Sequence, residues 1–132
     1  MKEQIVNFEL ALKMKEKGFN EPCFGYYYTS DKGEVGLELY IDVKNQDVYF
    51  VQAPLWQQAF EWFKKKFGLY AEIGIDQTTY PKYSFKIVRF IGNPENLSEK
   101  EWGWEDVYYS EYLYRDMKEC NEKIISIYLD FI

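Results

Sequence analysis

The sequence contains no histidine among its 132 residues. This absence removes the commonest general base, the commonest zinc ligand and every Ser–His or Cys–His nucleophile arrangement. The two common glycine-rich phosphate loops are missing as well, since neither GxxxxGK(S/T) nor GxGxxG occurs. Histidine-dependent catalysis and P-loop nucleotide chemistry are therefore excluded.

Cysteine is scarce and long apolar runs are absent. Cys23 and Cys120 are the only cysteines, and both lie in apolar stretches where a thiol packs as a small hydrophobe. The chain shows neither an apolar segment of signal-peptide length nor a run that approaches a membrane span. We expect a soluble, cytoplasmic protein with reduced thiols, without a cofactor or metal, and without membrane contact.

Aromatic side chains are abundant, with 13 Tyr, 10 Phe and 4 Trp. A chain so rich in rings folds, and its length suits a single domain over residues 1–132. The net charge of −6 lies entirely in residues 91–132, which carry 4 basic and 10 acidic residues. Such acidity disfavours a nucleic-acid partner, and it serves either solubility or contact with a basic protein.

The first part of the chain predicts one helix and three strands. The helix covers residues 7–17, with Asn7 as the N-cap and Gly18 as the stop. Short polar turns follow each of the first two strands, which favours an antiparallel meander. The predicted strands are residues 23–29, 37–43 and 48–52.

The segment WQQAFEWFKKKFGLY, residues 56–70, combines rings with three consecutive lysines. On a helical wheel the rings share one arc, and Lys64 and Lys65 lie opposite, while Lys66 lies in the last turn. Pro54 suits the helix start and Gly68 suits the stop. The segment is therefore predicted to be a core helix rather than a surface on which bases stack.

The remaining chain predicts a hairpin, a long loop and a helix. Period-two alternation marks strands at 69–76 and 83–91, and residues 92–106 have a loop composition. The last helix covers residues 110–131, with Ser110 as its N-cap. The predicted fold is α+β, an antiparallel sheet of about five strands with two to three helices packed mainly on one face, in the order α-β-β-β-α-β-β-α.

The segment EWGWED within the predicted loop is the candidate contact surface for another protein. Large rings on loops amid charge are typical of interaction hot spots. The alternative is that both tryptophans fold back and cap the core. The candidate residues are Glu101, Trp102, Trp104, Glu105 and Asp106.

Two other classes of function remain open. Carboxylates on predicted outward strand faces, Glu38, Asp42, Glu72 and Asp76, could hold a metal in a small hydrolase or nuclease, although the solvent-facing side of an antiparallel sheet is the favoured explanation for all four. A nucleic-acid-binding module is the third hypothesis. It would use Lys64, Lys65, Lys82, Lys86 and Arg89.

A resemblance to known proteins rests on two stretches of the sequence and on the C-terminal amphipathic helix that follows them. The stretches are ELALKMKEKGFNEPCFGYYY and QAPLWQQAFEWFKKKFGLYAEIGID. The chain resembles a group of small uncharacterised proteins encoded by Bacteroides-type gut bacteria, their phages and mobile elements. The resemblance implies a cytosolic accessory protein of phage or mobile-element origin, and it assigns no functional residue. Our leading hypothesis is a non-enzymatic protein that acts by binding another protein, with its oligomeric state open.

Overall fold

The computed structural model describes residues 4–30, 32–39, 50–76, 82–92, 103–110 and 113–132. The α+β class is confirmed, but the expected sheet of about five strands is wrong, because the described strands form two antiparallel sheets of three. By internal contacts the chain falls into two compact units, Met1–Ala59 with Ile132, and Phe60–Phe131. A single domain stays a prediction. The elements are α1 (Phe8–Glu16), β1 (Gly25–Thr29), β2 (Val35–Leu39), β3 (Val51–Gln52), α2 (Trp56–Phe67), β4 (Leu69–Asp76), β5 (Lys82–Ile91), β6 (Gly103–Tyr109) and α3 (Met117–Phe131).

Helix α1 begins and ends where its capping residues predict. The Asn7 Oδ1 accepts a hydrogen bond from the backbone N–H of Leu10 at 3.0 Å. This bond satisfies one of the donors that a helix N-terminus leaves without a partner. At the other end Gly18 has a φ of 103°, a left-handed conformation that glycine adopts without steric cost.

Strand β1 is the centre of the first sheet and pairs antiparallel with both β2 and β3. The predicted meander would place β2 in the centre, so it is wrong for the described residues. Residues 40–43 and 48–49 of the predicted strands lie outside them. Strand β1 carries rings on both faces: Tyr26 packs on Phe50 at 4.8 Å, and the Tyr27 hydroxyl donates to the Val6 carbonyl at 2.7 Å.

Helix α2 confirms the predicted stop and the predicted apolar stripe, but it begins at Trp56, so Pro54 does not occupy the first helical position as predicted. Pro54 precedes it, and Gly68 follows with a φ of 66°. Trp62 and Phe63 are buried on the stripe, and Phe63 contacts the ring of Tyr128 at 4.8 Å. The helix therefore contributes its rings to the core, as the wheel predicts.

The second sheet has the order β4-β5-β6. Its β4–β5 hairpin is confirmed, with a register that runs from Leu69 opposite Arg89 to Asp76 opposite Lys82. Strand β6 corrects the prediction of a loop over residues 92–106, because residues 103–106 pair with β5. The proline, asparagine and serine of the predicted loop come before this strand, and the open edge of β5 supplies the hydrogen-bond partners that stabilise it. Residues 93–102 lie outside the described residues.

Helix α3 begins at Met117, so the prediction of a start at Ser110 is wrong. Ser110 is used instead in pairing with β5, since its Oγ accepts from the backbone N–H of Phe85 at 3.0 Å. Asp116 caps the helix by accepting from the backbone N–H of Lys118 at 2.8 Å. None of the described helices combines the length and the apolar character needed to cross a membrane.

Candidate binding groove

Three of the five predicted contact residues lie on β6, which is an edge strand of the β4-β5-β6 sheet. They are Trp104, Glu105 and Asp106. Glu101 and Trp102 lie outside the described residues. The predicted contact loop is therefore a strand over its described part, which holds its side chains in a fixed alternation.

Trp104 is the most exposed ring of a three-ring cluster. Its side chain is 52% exposed, so the alternative in which it caps the core is wrong for this residue. The Trp104 ring lies edge-to-face against Tyr70 at 5.1 Å and against Phe90 at 5.2 Å. The register places Phe90 opposite Trp104 and Tyr70 opposite Val88. Each strand of the sheet thus contributes one ring to the same face.

The acidic neighbours of Trp104 are paired with basic side chains of β5. Glu105 forms a salt bridge with Arg89, and Asp106 forms one with Lys86 at 3.1 Å. The hydrogen bond that Lys86 donates to the Asp106 carboxylate, reinforced by one with Tyr109, raises the pKa of Lys86 above its ordinary value. The carboxylates of this strand therefore stabilise the sheet, and they offer little free negative charge to a basic partner.

A groove of about 940 Å³ opens beside Trp104, within the unit formed by Phe60–Phe131. Its wall is the C-terminal part of α2, which presents Glu61 and three lysines, and its floor is the ring cluster. This volume is typical of a binding cleft rather than of a packing defect. The lining residues are Glu61, Lys64, Lys65, Lys66, Phe67, Gly68, Tyr70, Phe90, Gly92 and Trp104.

The three lysines differ in what they contact. Lys64 forms a salt bridge with Glu61 at 3.2 Å, and its Nζ lies 5.7 Å from the centroid of Tyr70. Lys66 lies over the ring of Trp62 at 5.3 Å. Lys65 is exposed, and neither Lys65 nor Lys66 forms a salt bridge with any described residue. The groove therefore keeps two cations without counter-ions.

The described carboxylates among those proposed for a metal site lie on strands of two different sheets. Glu38 lies on β2, whereas Glu72 and Asp76 lie on β4 of the other sheet, opposite Lys86 and Lys82 respectively. Asp42 is outside the described residues. No cluster of three potential metal ligands occurs in the part of the chain that the structure describes. The hydrolase hypothesis thus gains no geometric support.

The strand lysines and arginine of the nucleic-acid hypothesis are similarly engaged. Lys86 and Arg89 are occupied by the β6 carboxylates, and Lys82 lies opposite Asp76. Lys64 and Lys65, by contrast, line the groove beside Trp104. Of the predicted basic residues, Lys82, Lys86 and Arg89 therefore lie on a strand beside carboxylates. Lys64 and Lys65 lie on α2 and line the groove.

Both cysteines are free and protonated at neutral pH. Burial raises the pKa of Cys23 to about 12, although its hydrogen bond with Gln58 acts in the opposite direction. Burial also raises the pKa of Cys120 to about 11. Since the thiolate is the reactive form, neither side chain is set up as a nucleophile.

No protein-family model matches this chain significantly, and neither does any curated protein or solved structure. The resemblance to proteins of Bacteroides-type bacteria stays a prediction. Period-two alternation places Tyr70 on the predicted outward face of its strand with Glu72 and Asp76, but only the strand pairing brings Phe90 and Trp104 beside it.

Proposed function

We propose that this protein is a non-enzymatic accessory protein that binds another protein through the groove beside Trp104. The observation that carries the proposal is a tryptophan that is half exposed yet held by two further rings. Fixed, amphipathic aromatic side chains dominate the energy of protein interfaces, because they bury a large area at little entropic cost. Its place of action is the cytoplasm, where thiols stay reduced, and its origin is a phage or mobile element.

The central experiment compares two single substitutions of equally exposed rings. Trp104→Ala removes the groove tryptophan, and Phe131→Ala removes a ring on α3 that is 48% exposed and does not line the groove. Tagged wild type and both variants are used to capture proteins from lysate, with quantification by mass spectrometry. We expect at least one protein to be recovered at least tenfold less by Trp104→Ala and unchanged by Phe131→Ala.

Thermal unfolding of each variant accompanies the capture, since a loss of binding is meaningful only for a folded protein. We expect Trp104→Ala to remain cooperatively folded, because about half of its ring surface is already in water. Equal recovery of every captured protein by wild type and Trp104→Ala would contradict the proposal.

Single-stranded nucleic acid is a second candidate ligand class. The specific observation in its favour is the placement of one ring on each of three strands beside accessible lysines, a combination that suits stacked bases and phosphates. Fluorescence anisotropy with a labelled oligothymidylate at about 50 and 200 mM salt tests it. Binding that weakens steeply with salt and is lost in Trp104→Ala supports this class, and no signal at the lower salt removes it.

A further inference from the structure

The charge inside the groove is opposite in sign to the charge of the whole chain. The lining contains three lysines and one glutamate, whereas the protein carries −6. The single glutamate, Glu61, is already engaged by Lys64. Among the described lining residues, Lys65 and Lys66 are therefore the two positive charges without a described salt-bridge partner.

The neighbouring carboxylates do not cancel this local charge. Asp106 lies on the strand that carries Trp104, but its carboxylate is held by Lys86 and accepts from the Tyr109 hydroxyl at 3.3 Å. At physiological salt, charges farther apart than about 8 Å are largely screened from one another. Among the described residues that line the groove, Lys65 and Lys66 are therefore the charges that a short ligand meets.

The floor of the groove selects for an apolar or aromatic group. Tyr70, Phe90 and Trp104 contribute rings to the same lining as the three lysines. A ligand that satisfies both the rings and the lysines carries a large apolar side chain with negative charges close to it.

Nucleic acid and an acidic peptide both fit this description, but they differ in length. A nucleic-acid strand extends beyond the groove and adds one negative charge with every nucleotide, so it meets the rest of an acidic protein. A short peptide segment with a few carboxylates can pair with Lys65 and Lys66 without extending beyond the groove. Charge complementarity thus favours the peptide.

We propose that the groove binds an acidic segment of a partner protein, in which one aromatic side chain is flanked by carboxylates. This inference rests on the proposed function, protein binding through Trp104, and it specifies the partner's chemistry. The aromatic side chain packs against Trp104 and Phe90, and the carboxylates pair with Lys65 and Lys66. It reverses the expectation that an acidic protein seeks a basic partner.

The test uses a dye-labelled ten-residue peptide with one central tryptophan and two aspartates on each side, measured by anisotropy on the full chain. Matched probes replace the four aspartates by asparagine, or the tryptophan by alanine, and a ten-nucleotide oligothymidylate serves as the competing class. We expect the acidic peptide to bind at least tenfold more tightly than each of the three other probes.

A pair of charge-reversal variants isolates the groove. Lys65→Glu with Lys66→Glu changes the groove, whereas Lys32→Glu with Lys123→Glu makes the same change in net charge at exposed positions that do not line it. We expect the first double variant to lose at least tenfold in affinity for the acidic peptide and the second to lose less than threefold. Circular dichroism confirms that both are folded.

Three results would overturn the inference: equal binding of the aspartate and asparagine peptides, equal effects of the two double variants, or tighter binding of the oligothymidylate. If the peptide fails in this way while Trp104→Ala still loses a captured protein, the partner chemistry is wrong and the proposed function stands. If Trp104→Ala loses neither the peptide nor a captured protein, both are wrong.

Discussion

The Lys86 ammonium lies 3.1 Å from the Asp106 carboxylate, which joins β5 to β6 on the sheet face that carries Trp104. The same cation lies 5.2 Å from the centroid of the Tyr109 ring. This arrangement pairs the two charges with each other, although both side chains remain partly exposed. It also ties the strand of Trp104 to the centre of the sheet.

Replacing Asp106 by asparagine is expected to lower the pKa of Lys86 toward its ordinary value of 10.5, because Asp106 is the largest cause of the upward shift. NMR titration of the Lys86 side chain in wild type and Asp106→Asn measures the change. Glu105→Gln is the matched control, since that carboxylate pairs with Arg89 instead. An unchanged Lys86 titration in Asp106→Asn would show that the pair does not form in solution.

The effect of a Gly36 substitution on stability is expected to depend on the ring of Tyr28. An added Cβ at Gly36 would lie 2.3 Å from the Cζ of Tyr28, so the ring must leave its place over the glycine. In the wild-type background Gly36→Ala should destabilise the protein by about 1–2 kcal/mol, the cost typical of overpacking. Chemical denaturation measures the difference in the free energy of unfolding.

In the Tyr28→Ala background the sign of the same substitution should reverse. Without the ring, alanine replaces a strand glycine that is about 0.5–1 kcal/mol less favourable, so Gly36→Ala becomes stabilising. The four proteins form a double-mutant cycle. Identical effects of Gly36→Ala in both backgrounds would show that the ring does not lie over the glycine.

Alkaline pH is expected to destabilise the fold through Cys120. Burial raises the pKa of this thiol from 9.0 to about 11 in the folded protein. Between these values the unfolded chain loses the proton and the folded chain keeps it, so the free energy of unfolding falls as the pH rises. Urea denaturation at intervals from pH 7 to 11 should give a steeper decline for wild type than for Cys120→Ala. Parallel curves above pH 9 would contradict the prediction.

The Asn7 N-cap is expected to contribute measurably to stability. Asn7→Ala removes the acceptor for the backbone N–H of Leu10 and should cost about 1 kcal/mol. Asn7→Ser keeps a side-chain oxygen at this position and should cost only a small part of that amount. Denaturation curves of the three proteins test this order of stability. An alanine variant as stable as wild type would show that the Asn7 side chain does not stabilise α1.

Local signals in the sequence predict the parts of this fold that depend on neighbouring residues. Asn7 and Gly18 mark the ends of α1, and Gly68 marks the end of α2, because capping is decided within one turn of helix. The alternation along β4 and β5 similarly predicts their hairpin. It does not predict burial, since Ile75 on the expected inner face of β4 is 57% exposed.

The start of α3 shows how competing local signals are resolved by tertiary contacts. Ser110 and Asp116 are both suitable caps by residue type. Ser110 is taken up by the backbone of Phe85 across the sheet, so Asp116 starts the helix. The residues next to Ser110 in the sequence do not predict that it pairs with Phe85.

By itself the sequence determined the chemistry that is missing and the positions where α1, α2 and the β4–β5 hairpin form, because composition and short-range periodicity fix both. Only the tertiary structure decided that the strands divide into two sheets and that β6 joins β5. Strand pairing is a choice between distant segments, and the same edge can accept more than one of them. The pairing of β6 brought Trp104 beside Phe90 and Tyr70, next to the lysines of α2, and thereby created the groove.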